Sequence, residues 1–248
     1  MSKISDAMER AKREREDEVF PDESAAPRRT AGTMAGVVPS IPEGDAEQYH
    51  SLASEIFLAL PETESRSLMF VSAAPGEGTS LVSREFTRTL AESAGVSTLL
   101  VDANLRRPSV HDAFGVVRDP GLSDYVMSNA PLQECVRSLR SSNLVLLPAG
   151  RRVVAPPRVL MDPRTEQLLA DVKQRFRYVV LDMPPLLSFS EGVPISRMVD
   201  GVILIVRSGH TKRELAERAL ELLRDAGANV LGTVLNRQLD TNLETELT

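Results

Sequence analysis

Six short, almost wholly apolar runs recur along this 248-residue chain: Leu68–Ser72, Thr98–Asp102, Leu144–Leu147, Tyr178–Asp182, Val202–Val206 and Val230–Leu235. None alternates apolar with polar residues, as a strand with one wet face would. Between many of them lie helical patterns, notably Ser80–Ala94, Thr165–Phe176 and Thr211–Ala226. Strands buried on both faces and separated by helices specify an α/β architecture: a doubly wound, mainly parallel sheet with helices on both sides. A further helix is expected where Tyr49, Leu52, Ile56 and Leu60 share a face, with Pro61 ending it. The folded unit is expected to span 46–240.

Residues 1–45 read differently. Charges of both signs crowd the first 18, with Ile4, Met8 and Ala11 near helical spacing; that stripe suits either a partner-binding helix or a solvated one. Pro21, Pro27, Pro39 and Pro42 then mark a linker. Residues 241–248 form a short acidic tail. A net charge of −6 gives no general affinity for nucleic acid or anionic lipid. No apolar run approaches the roughly 20 residues that span a bilayer, and no signal core opens the chain, so a cytoplasmic protein is expected. The single cysteine, Cys135, reads as a small buried apolar residue.

Chemistry concentrates at strand ends. The first run passes into Pro75, Gly76, Glu77, Gly78, Thr79 and Ser80 and then a helix, so that backbone N–H groups and the helix dipole face an anion. A standard phosphate loop places lysine where Thr79 stands; Ser80 keeps the hydroxyl that ligates magnesium. The second run ends in Asp102, whose carboxylate points to the crevice where such sheets bind ligands. The fourth ends in Asp182-Met183-Pro184-Pro185, a Walker B pattern. Asp182 alone could be a helix cap, but three such motifs in this order point to a nucleotide site.

From Glu47 to Arg237 the chain resembles the cytoplasmic bacterial tyrosine kinases of capsule and exopolysaccharide assembly, the CpsD/CapB type. These belong to the deviant-Walker P-loop class, with the partitioning and septum-site ATPases. The loop matches through Pro75, Gly76, Glu77, Gly78 and Ser80, the second acidic motif through Asp102, Leu105, Arg106 and Pro108, and Walker B through Asp182, Pro184 and Pro185. The resemblance implies ATP or ADP with Mg2+, metal ligation by Ser80, Asp102 and Asp182, catalysis by Asp102 and Asp182 if the chain is active, and base contacts from Asn236 and Arg237. It also implies a partner, the cytoplasmic tail of a membrane polysaccharide co-polymerase, which would recruit the chain to the inner face of the membrane.

The departures are as specific as the matches. Thr79 replaces the lysine, Asn104 the second aspartate, and His50 and Ala53 the two arginines of the family's ring-forming motif that begins at Glu47; the tail carries no tyrosine. One hydrogen bond to a charged group is worth ~1.5–3 kcal/mol, so loss of the lysine weakens nucleotide binding by roughly ten- to a hundredfold. A degenerate kinase homologue is expected, as a monomer or small oligomer that regulates or scaffolds its partner. Two other readings are an active kinase with an arginine in the lysine's place, such as Arg106, and a partitioning-type ATPase, although Ala74 stands where that class carries its signature lysine. Arg84 is expected to point away. His50 and His111, with no acidic partner evident in the sequence, read as surface or packing residues, and His210 as solvated.

Overall fold

The computed structural model describes residues 43–60, 65–93, 95–139 and 143–237. The expected N-terminal helix and linker, Pro61 and the acidic tail lie outside them.

Among the described residues, seven strands form one sheet in the order β3-β4-β2-β5-β1-β6-β7. They are β1 (Arg66–Ser72), β2 (Thr98–Asp102), β3 (Arg137–Ser138), β4 (Leu144–Leu147), β5 (Tyr178–Asp182), β6 (Gly201–Arg207) and β7 (Val230–Asn236). All neighbours pair in parallel except β3, a two-residue antiparallel edge against β4. The expected α/β fold is therefore present, with β3 as an addition.

Successive residues of the inner strands face opposite layers. Leu68 and Phe70 of β1, with Tyr178 and Val180 of β5, enter one core; Met69, Val71, Val179 and Leu181 enter the other. Because both faces are buried, every position must be apolar, and the period of two leaves no polar signature in the sequence.

The first layer is covered by α1 (Glu43–Ala59) and α2 (Thr79–Ser93). Val82, Phe86 and Leu90 of α2 recur every fourth residue, all at most 2% exposed, and meet Ala53 and Ile56 of α1. The helix α1 starts three residues ahead of the expected boundary at 46. The opposite layer is built from α4 (Leu122–Ser128), α5 (Leu132–Cys135), α6 (Pro156–Leu160), α7 (Pro163–Lys173), α8 (Gly192–Ile195) and α9 (Arg213–Asp225); a short α3 (Val110–Ala113) follows β2 on the α1–α2 side. Cys135 lies in the second core, fully buried, and burial pushes its thiol up to about 11.

The Phe86 ring packs on Phe70 with centroids 5.1 Å apart, joining α2 to β1. Phe86→Ala should therefore cost about 3–5 kcal/mol, read as a lower urea midpoint at unchanged slope.

Candidate functional site

The loop between β1 and α2 closes over a cavity of about 210 Å3 at the C-terminal edge of the sheet. Gly76 and Gly78 have φ of +83° and +93°, values that a side-chain-bearing residue adopts only with strain. A Cβ at Gly78 would also lie 2.1 Å from Nδ2 of Asn236.

Three later residues hold this loop. The Glu77 carboxylate turns inward: Oε2 accepts from the Ala74 N–H at 3.0 Å, and Oε1 accepts from the Thr211 hydroxyl at 2.5 Å. Thr211 in turn accepts from the Arg207 N–H at 2.8 Å. Asn236, at the end of β7, donates to the Glu77 carbonyl at 2.8 Å. Glu77 is thus 1% exposed and a structural member of the loop. Thr211 carries no sequence signal, since 134 residues separate it from Glu77.

Asp102 and Asp182 occupy paired positions on adjacent parallel strands, both fully buried. One oxygen of Asp102 accepts weakly from the Val110 N–H at 3.3 Å; its other oxygen and both of Asp182 make no well-formed hydrogen bond. Burial drives both carboxyls upward. Asp102 stands well above the ordinary carboxylate range, pushed further by the charge of Asp182. Asp182 reaches about 7, although the Ser80 and Ser83 hydroxyls and then Arg84 draw it down. Ser83 follows Ser80 by three residues on α2, a spacing that puts both hydroxyls on the same side of the helix.

The cavity wall combines Ser72, the loop from Gly76 to Leu81, Asn104, Met183 and Pro185. Among the described residues it holds neither a lysine nor an arginine. Thr79, 7% exposed, stands in the place expected for the cation. Of the lysines among the described residues, Lys173 is bound to Asp200 at 2.8 Å and Lys212 is exposed, off the cavity wall. The expected loop residues from Gly76 to Ser80 line the cavity together; Pro75 and Arg237 are exposed and do not.

The chain is 30% identical over 177 residues to the tyrosine-protein kinase CpsD of Streptococcus agalactiae serotype III, covering 70% of this chain and 75% of that protein. This chain belongs to the bacterial tyrosine-protein kinase family. The tyrosine-protein kinase YwqD of Bacillus subtilis is 29% identical over 192 residues, 77% of this chain and 81% of YwqD. The kinase domain of the Escherichia coli tyrosine kinase ETK superposes with a TM-score of 0.73 at 27% identity, covering 78% of this chain and 77% of that one. Septum-site MinD of Pyrococcus horikoshii, solved with Mg-ADP, shares the fold alone, with a TM-score of 0.60 at 22% identity over 70% of each chain. No family model matches the chain.

Within this member of the tyrosine-kinase family, two expectations need correction. Arg106 does not line the phosphate-loop cavity: its Nε donates to Glu191 at 2.7 Å, and its guanidinium stacks on Phe189 at 4.0 Å. His111 does have an acidic neighbour, with Nε2 3.3 Å from the exposed Asp112 carboxylate. His50 and His210 are exposed, as expected. Arg84 pairs with Glu85 at 2.8 Å through Nε and is absent from the cavity wall.

A carboxyl whose folded pKa is raised keeps a proton that the unfolded chain has lost. Stability therefore falls as pH rises from the unfolded value near 4 through the folded value near 7. In chelator, Asp182→Asn should be more stable than the parent at pH 8, on the order of 2–4 kcal/mol, with the gain shrinking toward pH 4.5. Thermal midpoints across that range test this; a pH-independent gain would contradict it.

Proposed function

We propose that this chain is a catalytically degenerate tyrosine-kinase homologue. It regulates or scaffolds a membrane polysaccharide co-polymerase in capsule or exopolysaccharide synthesis and export, docking on that partner's cytoplasmic tail. The observation that carries this reading is the cavity under the phosphate loop, whose wall has no cationic side chain among the described residues. Phosphoryl transfer is catalysed mainly by positioning and charge stabilisation, so this is the most damaging group to lose.

The residues fit a divalent cation better than a triphosphate. The buried oxygens of Asp102 and Asp182 that lack a well-formed hydrogen bond are acceptors that Mg2+ would satisfy, with the Ser80 hydroxyl beside them. ATP or ADP would rest on the loop from Pro75 to Ser80 and bring the transferable phosphoryl group, with Asn236 and Arg237 toward the base. Its terminal phosphates would meet only backbone N–H groups and the Thr79 hydroxyl. Weak nucleotide binding follows. An active kinase would need a substitute cation, and neither Arg84 nor Arg106 lines the phosphate-loop cavity. A partitioning ATPase is disfavoured by Ala74, at the position of that class's signature lysine.

The partner rests on the family resemblance, which implies a membrane protein's cytoplasmic tail. Among the described residues no helix is long and apolar enough to cross a membrane. Assembly as a monomer or small oligomer is supported at Ala53, which is 5% exposed and packs into the core, where it offers nothing to a neighbouring subunit.

Incubation with Mg·ATP should yield negligible hydrolysis and no phosphotyrosine; phosphotyrosine abolished by Asp182→Ala would promote the active-kinase reading. Thr79→Lys should create a thermal shift with Mg·ATP that the parent lacks, because ligand bound only to the native state raises its stability. Kinase activity should stay absent, with Asn104 and the tyrosine-free tail unchanged. No shift in a folded Thr79→Lys protein would mean that the loop is not a nucleotide site.

A further inference from the structure

A second cavity, about 270 Å3, opens beside the first, with Arg106, Arg118, Arg151 and Arg152 in its wall. The two share a connection: Asn104 lines the phosphate-loop cavity, and Leu105, Arg106 and Pro108, the next residues along, line this one. Three of its arginines are tethered in the same way. Arg106 reaches Glu191 at 2.7 Å, Arg118 reaches Asp119 at 3.0 Å and Arg151 reaches Asp124 at 3.1 Å, each through Nε. A guanidinium has five N–H donors in a rigid fork, so an Nε tether fixes its plane and leaves the terminal nitrogens to a ligand.

No described residue takes up those terminal nitrogens, and Arg152 has no partner among the described residues. Glu191 and Asp124 are buried behind their arginines, 1% and 3% exposed, and none of the three carboxylates lines the cavity. Asp124 is also held by the N–H groups of Gly121 at 2.9 Å and Arg151 at 3.0 Å, so the 150–152 loop is anchored while its side chains reach outward. Phe189 stacks beneath Arg106 at 4.0 Å and stiffens it further.

We infer that this cleft is a second anion site, separate from the phosphate loop, built for a ligand that carries phosphoryl groups. Planar guanidinium forks match phosphate oxygens in pairs. The volume of about 270 Å3 admits a diphosphate-sized group. The phosphoryl group comes either from a free small phosphate compound or from a phosphorylated side chain of another protein.

The test uses the full chain, 15N-labelled, titrated with inorganic pyrophosphate in one arm and a phosphoserine peptide in the other. Saturable amide shifts at Gly150, Arg151 and Arg152 are expected, weakening as salt rises. Tighter binding of pyrophosphate identifies a free compound, and tighter binding of the peptide a protein partner. Arg152→Gln breaks no intramolecular pair and should weaken binding at least threefold; Arg151→Gln with Arg152→Gln should weaken it at least tenfold. Shifts confined to Gly76 and Gly78, or an Arg152→Gln affinity within twofold of the parent, would overturn the site.

Discussion

The parallel pairing of β5 with β1 on one side and β2 on the other governs everything at the functional edge of this molecule. Phe70 of β1 and Asp102 of β2 each pair with Asp182 of β5. Two carboxylates are thereby placed side by side in a region where neighbouring strands are apolar on both faces. Both are fully buried, and among the described residues neither forms an ion pair with an arginine or lysine. A low-dielectric site of that kind raises the free energy of every uncompensated charge. The sheet tolerates the arrangement because burial lets the pair hold protons, and because the surrounding cores are continuous on both sides.

The phosphate loop above this pair is shaped by the backbone and by Glu77, Thr211 and Asn236, none of which depends on the missing lysine. That separation explains how a loop can keep its form after losing its central cation. A lysine side chain binds the ligand, whereas the inward carboxylate of Glu77 binds the loop itself. Threonine at position 79 removes the cation from the first without disturbing the second. The arginines nearby do not fill the gap, since none of those described lines the phosphate-loop cavity.

The central strands were legible because burial on both faces leaves an unbroken apolar run: Thr98–Asp102, Leu144–Leu147 and Tyr178–Asp182 end where the sequence places them. The start of β1 was not. Arg66 and Ser67 look like loop residues, yet Arg66 is buried by donating to the Tyr178 hydroxyl at 2.9 Å, and Ser67 is bound to Asp200. The edge strand β3 has two residues and no pattern to detect. At the site, the substitutions at Thr79 and Asn104 were visible against the motif they interrupt. Thr211 and Glu191 were not, because polar contacts between distant segments leave no periodicity behind.

The bonds from Glu77 to Thr211 and from Asn236 to Glu77 span 134 and 159 residues. Loop closure over such separations is entropically slow, and contacts of this kind form after local ones. An emerging polypeptide would expose the glycine turn long before the segment that shapes it had left the ribosome. The anion-facing loop is thus among the last parts of the domain to acquire its geometry, and that geometry reports that β7 has docked. Any ligand or partner that reads the loop reads the completeness of the whole sheet.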